Sequence, residues 1–121
     1  LFSDKEVRVD ELVDDLIKLN QSGQILELCE KYYDERVLML NNGTIFAESM
    51  QEAYDKQKGF VDSVAEFEIN LISKKIEGNV SELIFHYKMT ANDAKVTEFT
   101  GKHTQYWNHQ KIVKEEYESI S

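Results

Sequence analysis

The stretch Glu82-Leu83-Ile84-Phe85-His86-Tyr87-Lys88-Met89 alternates strictly, with Leu83, Phe85, Tyr87 and Met89 in one set and Glu82, Ile84, His86 and Lys88 in the other. Successive side chains of a strand point to opposite faces, so this is a strand with one face in a core. Upstream, Phe67, Ile69 and Leu71 alternate in the same way with Glu66, Glu68 and Asn70, and Gly78-Asn79 between the two tracts is a turn. Downstream, Ala91-Asn92-Asp93-Ala94 is a second turn, followed by strands over 95–108 and 111–120. Four strands joined by short loops form an antiparallel meander. Each spans roughly ten residues against a common ~5–6, and long twisted strands are expected to curl around a cavity.

The N-terminal half has the helical period instead. Val9, Leu12, Val13, Leu16 and Ile17 form a stripe opposite Asp10, Glu11, Asp14, Asp15 and Lys18, and Asn20-Gln21-Ser22-Gly23 reads as its stop. Ile25, Leu28, Cys29 and Tyr32 continue helical spacing over 24–33. Residues 36–40 form a short apolar strand ending at Asn41-Asn42-Gly43, a turn signal. Ser49-Met50-Gln51-Glu52 fits a capping box, so a third helix is expected from Ser49 to about Gly59. Neither repeats, low-complexity tracts, linkers nor prolines interrupt the chain, and 1–121 reads as one domain.

Composition excludes several classes. With 121 residues, 41% hydrophobic and 31% charged, the chain is long and apolar enough for a core without staples. One cysteine, Cys29, allows neither an internal disulfide nor a cysteine zinc cluster, and its helical spacing makes it a packed thiol. His86, His103 and His109 are too scattered for a metal site, so no metal or cofactor is expected. Fourteen basic against 23 acidic side chains give a net charge of −9, and neither Lys56-Gln57-Lys58 nor Lys74-Lys75 makes a basic groove, which argues against nucleic acid. No apolar run approaches the ~20 residues that span a bilayer. Leu1-Phe2-Ser3-Asp4-Lys5-Glu6 lacks the basic start and apolar core of a signal peptide, and lacks an initiator Met. The expected setting is cytoplasmic, with a few residues trimmed from the start.

The order helix, helix, short strand, helix and four long strands carries a resemblance. Together with Phe99-Thr100-Gly101-Lys102-His103-Thr104-Gln105-Tyr106-Trp107, the ending Lys111-Ile112-Val113-Lys114-Glu115-Glu116 and the stretch Tyr32-Tyr33-Asp34-Glu35-Arg36-Val37, the chain resembles the SnoaL-like branch of the NTF2-like superfamily. His109-Gln110 stands where that family often has an Asp-Gly turn. The resemblance implies an α+β fold with three N-terminal helices on a strongly curved, mostly antiparallel sheet forming a cone-shaped half-barrel with a pocket. It also implies a small hydrophobic or aromatic ligand, and frequently a homodimer through the outer sheet face. Members include isomerases, cyclases, dehydratases and pure binding modules, so the fold alone decides no chemistry.

Strand parity then nominates the pocket. If Phe67, Ile69 and Leu71 face the helices, so do Leu83, Phe85, Tyr87 and Met89, and after them Phe99, Gly101, His103, Gln105 and Trp107. On the last strand, Val113, Glu115 and Tyr117 point inward, or Ile112 and Lys114 do if a bulge near 108–110 changes parity. Phe67, Phe85, Phe99, Gln105, Trp107 and Tyr117 are the candidate ligand-binding residues, the aromatics suiting a ring-shaped ligand and also suiting plain core packing. An imidazole can work as acid or base near neutral pH, and beside Glu115 and Tyr87 His103 is the candidate acid–base for enolising a carbonyl substrate. Its plainer role is a hydrogen-bonded histidine in a pocket wall.

The ketosteroid isomerases of the superfamily place a carboxylate base, a tyrosine and a protonated aspartate at positions that fall here near Leu40, Leu16 and His103. None of the three groups is present, which argues against that mechanism. The cyclase branch pairs Asp with His, and only His103 offers half of that pair. Three functions follow: a small-molecule binding domain without chemistry, an isomerase-, cyclase- or dehydratase-type enzyme using His103, and a homodimeric interaction module built on the outward Ile72, Ile84, His86 and Tyr106.

Overall fold

A computed structural model describes residues 8–120, and the reading of Leu1 to Glu6 as lacking a signal peptide lies outside them. Helix α1 (Val9–Gln21) sets its apolar stripe inward, burying Val13, Leu16, Ile17 and Leu19. After Gly23 the chain enters α2 (Ile25–Tyr32) and passes directly into strand β1 (Tyr33–Asn41). Asn42 and Gly43 both have positive φ, 50° and 86°, as a two-residue type I′ hairpin requires. They return the chain into β2 (Thr44–Ala47), a four-residue strand too short to show an alternation of its own beyond the Asn-Gly turn.

Helix α3 (Met50–Asp62) starts at Ser49, whose hydroxyl accepts from the Glu52 N–H at 3.0 Å. It runs past Gly59, the expected stop, and ends at Ser63. An interior glycine costs only about 1 kcal/mol, and Lys58 pairs with Asp62 one turn on at 3.0 Å across it. Strands β3 (Val64–Glu77), β4 (Val80–Ala91), β5 (Val96–Asn108) and β6 (Lys111–Ser119) form the expected antiparallel meander.

The expectation of a strongly curved, cone-shaped half-barrel is corrected by the sheet itself. Its order is β2-β1-β6-β5-β4-β3, with β1 and β6 parallel and all other neighbours antiparallel. The sheet is neither closed nor strongly curled: β2 and β3 are free edges that do not pair with each other. Closure needs matched strands staggered around a barrel, and β2 has only four residues. Twist along the long strands is absorbed in an open sheet, and the helices, rather than a closed wall of strands, cover the inner face. Among the described residues, no helix is long and apolar enough to cross a membrane.

The core lies between α1, α2 and the inner face of the sheet. It contains Val13, Leu16, Cys29, Val37, Leu83, Phe85, Trp107 and Ile112, all at most 2% exposed. Strand β6 contributes to it through a bulge. Tyr106 pairs with Lys114 but Trp107 pairs with Ile112, leaving Val113 as the extra residue. Ile112 therefore faces the core on one side of the bulge, while Glu115 faces it on the other. The two parities open at the sequence level each hold for part of the strand.

Candidate functional site

A cavity of about 370 Å³ lies between the inner face of the sheet and the helices. Its walls come from Leu16 and Asn20 of α1, Ile25 and Leu28 of α2, and Lys56, Gln57 and Phe60 of α3. Tyr33, Met39, Leu40 and Asn41 of β1 and Phe46 of β2 line it too, as do Phe85, Tyr87 and Met89 of β4. Phe99, His103 and Gln105 of β5 and Glu115 and Tyr117 of β6 complete it, leaving a mostly apolar, aromatic surface with a small polar sector.

His103 organises that sector. Its Nδ1 lies 2.7 Å from Glu115 Oε2 and its Nε2 lies 2.7 Å from the Tyr87 hydroxyl oxygen. The Tyr33 hydroxyl donates to Glu115 Oε1 at 2.8 Å, and Asn20 Nδ2 donates to the Tyr87 oxygen at 3.2 Å. Written with Glu115 as the carboxylate, every proton has a place. With the ring neutral and Nδ1–H donating to Glu115, Nε2 accepts, and the Tyr87 O–H supplies that bond. The chain Asn20→Tyr87→His103→Glu115←Tyr33 then leaves the Tyr87 oxygen with one remaining lone pair. Glu115 is 3% exposed, and two donors answer its desolvation.

Burial holds the Tyr87 phenol well above its ordinary 10.0, with the Glu115 charge adding to the effect, while the bond from Asn20 works the other way. Tyr33 is pushed up for the same two reasons, burial first and Glu115 second. Both phenols are thereby kept protonated, as donors need to be. Cys29 is pushed up to about 12 by burial and by the neighbouring negative charges, so it is a packed thiol and no nucleophile.

A second relay backs the first. Trp107 Nε1–H donates to Ser81 Oγ at 2.9 Å, and the Ser81 hydroxyl donates to Gln105 Oε1 at 2.8 Å. Trp107 itself is 2% exposed, packs edge-on against Tyr32 with ring centres 5.7 Å apart, and does not line the cavity. Phe67 does not line it either. On the edge strand β3 it is 43% exposed, its ring set against Gly23, where a Cβ would fall 2.3 Å from the ring. Phe85, Phe99, Gln105 and Tyr117 do line it, Phe99 stacked on Tyr87 with centroids 4.9 Å apart. On the outer face, His86 meets Glu98 and Thr100, each at 3.0 Å, and His109 sits in the β5–β6 turn with φ 58°.

Four participants escaped the sequence reading. Asn20 was taken as part of a helix stop, although it lies four residues after Leu16 on the buried stripe. Ser81 shares the inward parity of Leu83 and stands directly across from Gln105. Tyr33 falls at the end of the helical stretch in the sequence, and its direction depends on where α2 yields to β1. Phe46 belongs to the unrecognised β2. Among the described residues, no three His, Cys, Asp or Glu side chains gather as a metal site.

The fold is NTF2-like, and comparison with solved structures shows the same architecture. A SnoaL-like protein from Mesorhizobium loti, provisionally designated a polyketide cyclase, superposes with a TM-score of 0.75 at 14% identity, over 91% of this chain and 97% of that one. A SnoaL-like protein from Shewanella denitrificans with the same provisional designation gives 0.74 at 15% identity, over 92% and 89%. An NTF2-like protein of unknown function from Burkholderia pseudomallei gives 0.75 at 11% identity, over 91% and 88%. At these identities the likeness establishes the fold and not the chemistry. No family model matches the chain, and no curated protein matches it in sequence.

Proposed function

We propose that this protein binds a small, largely apolar, ring-bearing molecule, held through the polar sector of the pocket around Tyr87, His103 and Gln105. The observation that carries this reading is a cavity of about 370 Å³ whose apolar wall is broken by one ordered hydrogen-bonded sector. Ligand pockets have this composition: mostly hydrophobic surface with a few convergent polar groups. The net charge of −9 and the absence of a basic groove favour such a ligand over nucleic acid. The lone, buried Cys29 suits a cytoplasmic setting. The test is thermal unfolding against a panel of polyketide-like, steroid-like and fatty compounds. A rise in Tm with ring compounds is expected, and a flat response across the panel overturns the reading.

A second reading is proton transfer, favoured by the direction of the same relay. Tyr87 would take a proton from the ligand as it passes its own to His103 Nε2, leaving an enolate and an imidazolium held by Glu115. Solvent deuterium exchange at the α-carbon of a bound ring ketone, abolished by His103→Gln, is the expected signature. Exchange no faster than without protein removes the enzyme and leaves the binding domain.

A homodimer through the outer sheet face is part of the proposal. It is supported by Ile72, 58% exposed, with Ile84, His86 and Tyr106 half-buried on neighbouring strands. Light scattering should report a dimer weakened by Ile84→Glu, and a clean monomer at tens of micromolar (about the range of weak association) excludes it.

A further inference from the structure

We infer that Gln105 is a hydrogen-bond donor of fixed orientation whose role is to select a neutral carbonyl-type oxygen on the ligand. The inference rests on the reading of the cavity as a ligand site and adds the chemistry of what enters it. It begins with Trp107. An indole N–H can only donate, and Nε1 lies 2.9 Å from Ser81 Oγ. Having accepted there, the Ser81 hydroxyl has its own proton to place, and Gln105 lies 2.8 Å away. The atom it meets must be an acceptor, which makes it the carboxamide oxygen. Ser81 is 0% exposed, so solvent offers its hydroxyl no substitute partner. The usual ambiguity of an amide flip is thereby resolved by chemistry.

The amide nitrogen of Gln105 consequently points away from Ser81. It has no hydrogen-bond partner among the described residues, while every sealed side-chain nitrogen or oxygen among them has one. The nitrogen therefore reaches open space, and the space Gln105 borders is the cavity. A buried amide with two unanswered N–H groups is a standing demand for an acceptor. Glu115, directly across the β5–β6 pair, does not meet it, because Tyr33 and His103 occupy its two oxygens. The same carboxylate, which is 3% exposed, repels an anionic ligand group. A ketone, ester or amide oxygen satisfies both conditions.

The probes are α-tetralone and tetralin, one ring system with and without a carbonyl, titrated into ¹⁵N-labelled protein. The ketone should bind about tenfold tighter, equivalent to about 1.4 kcal/mol, and should move the Gln105 side-chain NH₂ resonances. In Gln105→Met the affinity ratio should fall to near parity. In Ser81→Ala, which unlocks the amide while keeping it, the ratio should fall part of the way. Should Gln105→Met fail to fold, the wild-type NH₂ resonances decide. Equal affinities, unmoved Gln105 resonances, or a ketone preference that survives Gln105→Met would each overturn the inference while the pocket reading stands. Binding of neither probe, with no hit in the wider panel, would overturn both.

Discussion

His103 and Glu115 are diagonal neighbours across β5 and β6, His103 standing opposite Tyr117 and Glu115 opposite Gln105, and their side chains meet at 2.7 Å. Diagonal pairs on one sheet face lie within reach of long side chains. The contact determines which ring nitrogen of His103 carries the proton, and through it which way Tyr87 points its hydroxyl. Nitrogen NMR should therefore find that the neutral form of the ring carries its proton at Nδ1, with Nε2 as acceptor. Glu115→Gln leaves one acceptor where two donors converge, and should cost about 1–3 kcal/mol in urea unfolding. A wild-type ring protonated at Nε2 alone would refute this arrangement.

Gly101 gives Tyr117 its place in the pocket wall. A Cβ on Gly101 would fall 2.3 Å from Tyr117 Cε1 and 2.6 Å from its hydroxyl oxygen. Gly101→Ala must push the ring toward the cavity, so destabilisation of about 1–3 kcal/mol is expected. Weaker Tm shifts from the ring compounds should accompany it. A variant as stable and as ligand-responsive as wild type would show that Tyr117 moves freely.

Alkaline conditions should unfold the protein through its buried acids. Cys29, Tyr33 and Tyr87 all have folded values raised by burial above their ordinary 9.0, 10.0 and 10.0. For groups shifted in this direction the contribution to stability is complete below the unfolded values. It is lost as pH rises through them, because the unfolded chain ionises first. The free energy of unfolding should fall from about pH 9 upward, and Tyr87→Phe should reduce the slope. A curve level between about pH 8 and about pH 11 would contradict the burial argument.

Ser49 holds the start of α3, which brings Lys56, Gln57 and Phe60 to the pocket. Its partner Glu52 does not return the bond to Ser49. Oε1 accepts instead from the Glu48 N–H at 2.8 Å. Ser49→Ala should cost about 1 kcal/mol and speed amide exchange in the first turn of α3. Unchanged exchange at Glu52 would show that the cap contributes nothing.

Much of this was present in the chain as written. The alternation of Leu83, Phe85, Tyr87 and Met89 set the inner face of β4, and the spacing of Val13, Leu16 and Ile17 set the buried face of α1. The placing of His103 and Gln105 on one face followed from their two-residue separation. These are local properties: backbone geometry imposes a period of two on a strand and about 3.6 on a helix, whatever lies beyond.

Other features were not local. The curl inferred from strand length, and the cone that the resemblance implied, gave way to an open sheet, because closure depends on whether distant edges meet, and β2 and β3 do not. The bulge at Val113, which lets both Ile112 and Glu115 face inward, depends on the register of β6 against β5. Asn20 meets Tyr87 across 67 positions, and Tyr33 meets Glu115 across 82. Sequence alone thus determined which residues share a face and that an aromatic-walled pocket with His103 in it was to be expected. Tertiary structure alone decided that His103 is tied at both nitrogens, since hydrogen bonds are short and directional and form only after register has brought their partners together.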